Sequence, residues 1–267
     1  MLSELTGRRA LVTGASGGLG PVIARALHAR GAHVVLSGRR REALESLAAE
    51  LGANVEVEPA DLADRADLER MAELSKGLDV LVANAALPAS GRLEEFTPEE
   101  IDRALDVNLR SPIRMARAAA PEMVARGAGA LVFVNSLSGK VTTAGQSVYA
   151  ATKFGLRGFA FSLHQELHGS GVAVSTVFPG LVSGAGMFAD TGLDVPRLTG
   201  TRTPEQVARA VLRGIETGRA EIDVAPLNER LGARASGLSP ALVGAITRRL
   251  GATQVAAEFA ARQREKR

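Results

Sequence analysis

Cysteine and tryptophan are both absent from the 267 residues, and a single tyrosine, Tyr149, is present. Without cysteine there is no disulfide, no thiol nucleophile and no cysteine-based metal site, which agrees with an expected cytoplasmic location. Histidine is scarce as well. His164 and His168 lie four apart on a predicted helix but have no third ligand, so no metal site is expected. Aromatic residues make up only 3% of the chain, too few for base-stacking platforms. The isoelectric point near 9.8 reflects arginines interleaved with acids, and the net charge is only +3. No nucleic-acid partner is therefore expected. No apolar run approaches the roughly 18–20 residues of a membrane span, and the N-terminus lacks the apolar centre of a secretory signal.

What is present is a 46% hydrophobic chain that alternates short apolar runs with amphipathic ones. Strands are predicted over 9–13, 33–37, 54–58, 79–83, 128–135, 172–178 and 221–225. Helices are predicted after the glycine loop at 14–20 (with Val22, Ile23, Ala26 and Leu27 on one face), over 42–51 and 64–75, from the capping box at Thr97 to Asn108, on to about Arg126, from Gly145 to His168, and from a second capping box at Thr203 to Thr217. Unbroken alternation of this kind predicts an α/β fold: one domain built on a single doubly wound, Rossmann-type parallel sheet with helices on both faces. Its core spans about 5–225. Residues 181–202 read as a substrate loop of the length that lids have. Residues 226–267 read as a short helical extension that ends in a basic, solvated tail at 262–267.

Three stretches carry chemistry. The first is Thr13-Gly14-Ala-Ser16-Gly17-Gly18-Leu19-Gly20, which follows a strand and opens a helix. There, glycines let backbone approach a pyrophosphate and the helix N-terminus supplies free N–H groups. The second is Gly38-Arg39-Arg40, which follows the second strand where an NAD site would place an acid; an arginine there favours a 2′-phosphate and so NADP, with NAD as the alternative. Beyond the third strand, Asp61-Leu62 reads either as a contact to an adenine edge or as the N-cap of the next helix. The third stretch runs from Ser136 to Lys153. Tyr149 and Lys153 stand four apart on a predicted helix and so share a face. Lys153, one of four lysines, is placed to lower the pKa of the Tyr149 phenol. Ser136 closes an apolar strand, at the end where open α/β sheets bind ligands.

With these residues placed, the chain resembles the short-chain dehydrogenase/reductase family over about 5–225. Thr13-Gly14-x-x-x-Gly18-x-Gly20 is similar to that family's cofactor loop, Asp61 to its adenine-contacting acid, Asn84-Ala85 to part of its Asn-Asn-Ala-Gly turn, and Asn108, Ser136, Tyr149 and Lys153 to its catalytic tetrad. Pro179-Gly180 is similar to the turn that opens the substrate loop, which puts Val182 beside the nicotinamide. The departures are Ala83 and Ala86 in the turn after the fourth strand, and Gly184 where the family has a threonine that meets the nicotinamide amide; Ser183 is the candidate substitute.

The resemblance implies hydride transfer between NADP(H) and a carbonyl/alcohol pair. Tyr149 would act as general acid/base, Ser136 would hold the reacting oxygen, Lys153 would bind the nicotinamide ribose, and Asn108 would order a water. It also implies a homodimer or homotetramer paired through the Asn108 and Tyr149 helices. The candidate substrate residues (Leu87, Pro88, Leu137, Ser138, Val141, Thr142, Met187 and Phe188) carry no charge, so an apolar small molecule is expected. For Met187 and Phe188, packing of the lid onto the core is an equal reading. Two alternatives remain: a non-catalytic cofactor-binding regulatory protein of the same fold, and a nucleotide-sugar epimerase or dehydratase. The second of these has longer relatives with a different glycine spacing.

Overall fold

A computed structural model describes residue 2 and residues 4–192, 200–239 and 261–263. The strands are β1 (Arg9–Thr13), β2 (His33–Gly38), β3 (Val55–Pro59), β4 (Val80–Ala83), β5 (Gly129–Val134), β6 (Val172–Pro179) and β7 (Glu221–Val224). They pair in parallel in the order β3-β2-β1-β4-β5-β6-β7. Every central strand is covered on both sides, which is why β4 and β5 are apolar without a break and β6 is interrupted only by the buried Ser175 and Thr176. Period-two alternation divides their side chains between two cores. Val80 and Val82 face one layer together with Ala130 and Val132; Leu81 and Ala83 face the other with Leu131 and Phe133.

Helices α1 (Gly20–His28), α2 (Arg41–Leu51) and α7 (Pro204–Thr217) cover the first face. Helices α3 (Arg65–Ser75), α5 (Ser111–Arg126) and α6 (Ser147–Glu166) cover the second. Both expected capping boxes form, Thr97 with Glu100 at the start of α4 (Pro98–Leu105) and Thr203 with Gln206 on α7. The buried face of α1 is Gly20, Ile23, Ala24 and Leu27, with the expected Val22 and Ala26 only half-buried at its margin.

The helix expected to reach Asn108 breaks sooner. Between α4 and α5 the chain takes a wide π turn, Asp106–Arg110. Pro112 has no N–H to give the carbonyl of Asn108 four residues back, so the regular ladder cannot continue there.

At the far end of the chain, α8 (Leu227–Leu238) follows β7. The start of the expected solvated tail is instead docked. Gln263 is 2% exposed and donates from Nε2 to the Met187 carbonyl at 3.1 Å, and Arg262 Nη1 donates to the Thr191 carbonyl at 2.7 Å. The short turn at 187–191 leaves carbonyls without helical partners, and these two side chains supply donors for them. Residues 264–267, and the rest of the expected extension over 240–260, lie outside the described residues.

Candidate active site and cofactor cleft

The carboxyl ends of β1 to β6 open into one cavity of about 1280 Å³. Its floor lies where the strand order reverses between β1 and β4, the position at which sheets of this type take ligands.

At the β1 end, the glycine loop is closed by backbone contact. A Cβ on Gly20 would lie 2.1 Å from the Gly14 carbonyl, and Gly14 itself has φ +70° with Ala85 Cα 2.9 Å from where its Cβ would be. Neither position accepts a side chain. Gly14, Ser16, Gly18 and Leu19 line the cavity; Gly20 does not, and its part is the tight turn beneath them. The Thr13 hydroxyl accepts from the N–H groups of Asn84 and Ala85, and Asn84 Nδ2 donates to the Thr13 carbonyl at 2.9 Å. The β4 turn therefore keeps its anchorage despite Ala83 and Ala86.

Arg39 and Arg40 flank the same end. Arg39 makes no ion pair among the described residues, and the Arg40 guanidinium folds over the loop to donate to the Ser16 carbonyl. Asp61 and Leu62 line the neighbouring wall. Asp61 is not the N-cap of α3; that role belongs to Asp64, which accepts from Asp67 N–H. The Asp61 carboxylate pairs at 2.7 Å with Arg103 from α4 and accepts from Ala63 N–H. Burial acts to raise its pKa, but Arg103, Ala63 and the field of Arg39 outweigh it and hold the group below the usual range.

Ser136, Tyr149 and Lys153 meet on the far side. Asn135, which the sequence did not single out, assembles them. Its buried amide accepts from Ser136 N–H at 2.8 Å and donates to the Lys153 carbonyl at 3.0 Å, so it joins the end of β5 to α6. Gly139 leaves room for this, since a Cβ there would sit 2.8 Å from Asn135 Oδ1. The Ser136 hydroxyl accepts from Ser138 N–H and is hydrogen-bonded to Tyr149. Lys153 is 1% exposed; its ammonium lies 5.5 Å from the centroid of the Tyr149 ring and, among the described residues, donates only to the Val134 carbonyl, at 3.5 Å.

The expected lowering of the Tyr149 pKa does not appear in this state of the site. Burial pushes the phenol up to about 12 against the downward pull of Ser136. Burial likewise pushes the Lys153 ammonium down to about 8. Desolvation disfavours both charged forms.

Asn108 is buried but does not line the cavity. Its side-chain amide is spent on Leu87, accepting from that N–H at 2.7 Å and donating to that carbonyl at 3.0 Å. Pro179, Gly180 and Val182 line the cavity beyond β6. Ser183 and Gly184 do not, and the Ser183 hydroxyl turns to the Arg202 carbonyl. The ends of the substrate loop are zipped together, with Val182 bridging Arg202.

Of the expected substrate residues, all but the exposed Thr142 line the cavity, with Thr143 in its place. The expectation of an uncharged lining needs correcting, because Glu229 of α8 enters the wall together with Gly232, Ala233, Arg262 and Gln263. No motif marks these residues, and their docking is a matter of tertiary contact.

A family model described as short chain dehydrogenase matches residues 8–195. The chain belongs to the short-chain dehydrogenase/reductase family of oxidoreductases. It is similar to nodulation protein G of Rhizobium meliloti, with 41% identity over 186 residues that cover 68% of this chain and 76% of the relative. It is also similar to the ketoacyl reductase HetN of Nostoc sp., with 36% identity over 240 residues that cover 86% and 83%. Among solved structures, a short-chain dehydrogenase from Sphingobium yanoikuyae in complex with NADPH superposes with a TM-score of 0.76 at 30% identity, covering 88% of this chain and 96% of that one. Among the described residues no helix is long and apolar enough to cross a membrane, and no cluster of potential metal ligands is found.

Proposed function

We propose that this protein is an NADP(H)-dependent oxidoreductase that interconverts a carbonyl and a secondary alcohol on a small molecule with an apolar body, in the cytoplasm, with Tyr149 as general acid/base. The observation that carries this reading is the Tyr149 hydroxyl, hydrogen-bonded to Ser136 beside a buried Lys153 in a cavity that also holds the glycine loop.

The donor set fits a nicotinamide dinucleotide. The Lys153 ammonium has one long contact and is short of oxygen partners, as a lysine that binds ribose hydroxyls would be. Gly14, Ser16, Gly18 and Leu19 would hold the pyrophosphate, Arg39 and Arg40 the 2′-phosphate, and Asp61, Leu62 and Asn84 the adenosine half. Pro179, Gly180 and Val182 would face the nicotinamide. Two observations favour NADP over NAD: Arg39 has no ion-pair partner among the described residues, and no acid stands beside Gly38. The NADPH bound to the Sphingobium neighbour agrees with this choice.

When bound, the cofactor supplies the hydride. The chain's own residues handle the proton. Tyr149 gives it to the carbonyl oxygen, or takes it in the reverse direction, and Ser136 hydrogen-bonds the same oxygen. Lys153 favours the phenolate once oxygen partners hold it charged. Asn108 acts through the backbone that it fixes, namely Leu87 and the π turn. The exposed Phe154 and Phe161 of α6 form an outward apolar face through which copies would pair.

Tyr149→Phe is the test. Turnover should fall about 10²–10⁴-fold, while NADPH still raises the melting temperature as it does in the wild type. Because the chain has one tyrosine, no neighbour can substitute, and wild-type turnover in this variant would end the proposal.

A further inference from the structure

Glu229 is one of two acids in the cavity wall; the other, Asp61, is already paired with Arg103. Glu229 lies at the opposite, substrate end. A Cβ built on Gly180 would meet Glu229 Oε2 at 2.4 Å, Ala225 Cβ at 3.0 Å and Leu137 Cδ1 at 3.4 Å. The carboxylate thus fills the space that glycine leaves after β6, beside the residue that follows Ser136.

Among the described residues Glu229 accepts no hydrogen bond and forms no ion pair. Arg202 acts on it through space, but its Nη2 donates to the Ala225 carbonyl at 3.3 Å. The lining of the same cavity includes Leu137, Val141, Met187, Phe188 and Ala233, together with Arg262 and Gln263. A half-buried carboxylate without a donor costs free energy, and here that cost pushes the group up to about 7.

Building on the proposed carbonyl/alcohol chemistry, we propose that Glu229 is a specificity-determining residue that binds an ammonium group of the substrate. The preferred substrates are then amino alcohols and the matching amino ketones with an aliphatic body. An ammonium provides the donors that the described residues do not, and a charge-assisted hydrogen bond in a partly dry wall is stronger than one to a neutral hydroxyl.

The test uses the whole enzyme with NADP⁺ at pH 8 and a series of amino alcohols that carry the ammonium one to four carbons from the carbinol carbon. Each is compared with the alkanol that has methyl in place of ammonium, and with the diol that has hydroxyl there. At least one amino alcohol should exceed its alkanol about tenfold or more in kcat/KM and should also exceed its diol. Glu229→Gln should bring that ratio close to one. Glu229→Asp, which withdraws the charge by one methylene, should move the optimum to a chain about one carbon longer, a readout that a purely structural role would not shift.

Alkanols or diols that match the amino alcohols throughout, or a preference that survives Glu229→Gln, would overturn the proposal. If no alcohol of any kind is oxidised, the Tyr149 chemistry is what has failed, and binding decides the question for Glu229. In that case the amino alcohols should stabilise the wild-type NADP⁺ complex against heat and lose this effect in Glu229→Gln; no stabilisation of the wild type would refute the role.

Discussion

Replacing Lys153 by methionine should make the cofactor-free protein more stable. Wild-type Lys153 is 1% exposed and its ammonium has one hydrogen-bond contact among the described residues, at 3.5 Å, so folding strips it of water and gives back little. Burial lowers its pKa from 10.5 to about 8. The sign follows from proton counts. Below pH 8 both the folded and unfolded chains hold the proton, and the full penalty is felt. Between about 8 and 10.5 the folded chain has released the proton and the unfolded chain has not, so stability rises with pH; above 10.5 the penalty is gone. At about 1.4 kcal/mol per pKa unit, the shift corresponds to a penalty of about 3 kcal/mol at neutral pH.

Methionine keeps the unbranched shape without the charge. At pH 7, Lys153→Met should therefore gain about 2–3 kcal/mol, or about 5–10 °C in melting temperature for a chain of this size. The gain should shrink as the pH approaches 10. The assay is urea unfolding of both proteins at several pH values from 6.5 to 10, read as the difference between them so that other titrations cancel. A variant no more stable than wild type at pH 7, or a difference that does not change with pH, would refute the assignment of burial as the dominant cause. NADPH at a hundred times its Kd should cancel most of the gain, because it stabilises the wild type by about 2.7 kcal/mol, and the variant lacks the cation proposed to bind the ribose.

Two further outcomes follow from the site. Arg39→Ser should weaken NADPH binding about 10–100-fold and leave NADH binding nearly as it was, because a guanidinium–phosphate pair is a strong charge-assisted contact that NADH cannot make; calorimetric titration with the two nucleotides checks this. Asn135→Ala leaves Ser136 N–H without its acceptor and removes the side-chain donor that ties β5 to the Lys153 carbonyl of α6. At about 1–3 kcal/mol for a buried unsatisfied group, it should lower stability by at least that amount and reduce kcat far more than it changes NADPH affinity.

The parts of the site legible in the sequence are those whose reasons are local. The buried strands show as apolar runs, the helix starts as Thr97-Pro98 and Thr203-Pro204, and the cofactor turn as glycines that tolerate no Cβ. Tyr149 and Lys153 share a face because helical spacing puts them there. The pKa of Tyr149 was not legible in the same way. A nearby lysine can be read from spacing, whereas desolvation depends on what the whole fold places around the ring, and here it acts in the opposite direction. Asp61 and Arg103 find each other across 42 positions, and Glu229 reaches Gly180 across 49, pairings that no periodicity encodes. The one local hint for Glu229 is Gly180 itself. A glycine after Pro179 reads as a turn residue, but Gly180 is also a vacancy, and an acid from α8 fills it. The legible chemistry of the fold thus sits on short-range spacing, while the residue proposed to choose the substrate comes from the part of the chain beyond the sheet, where sequence pattern says least.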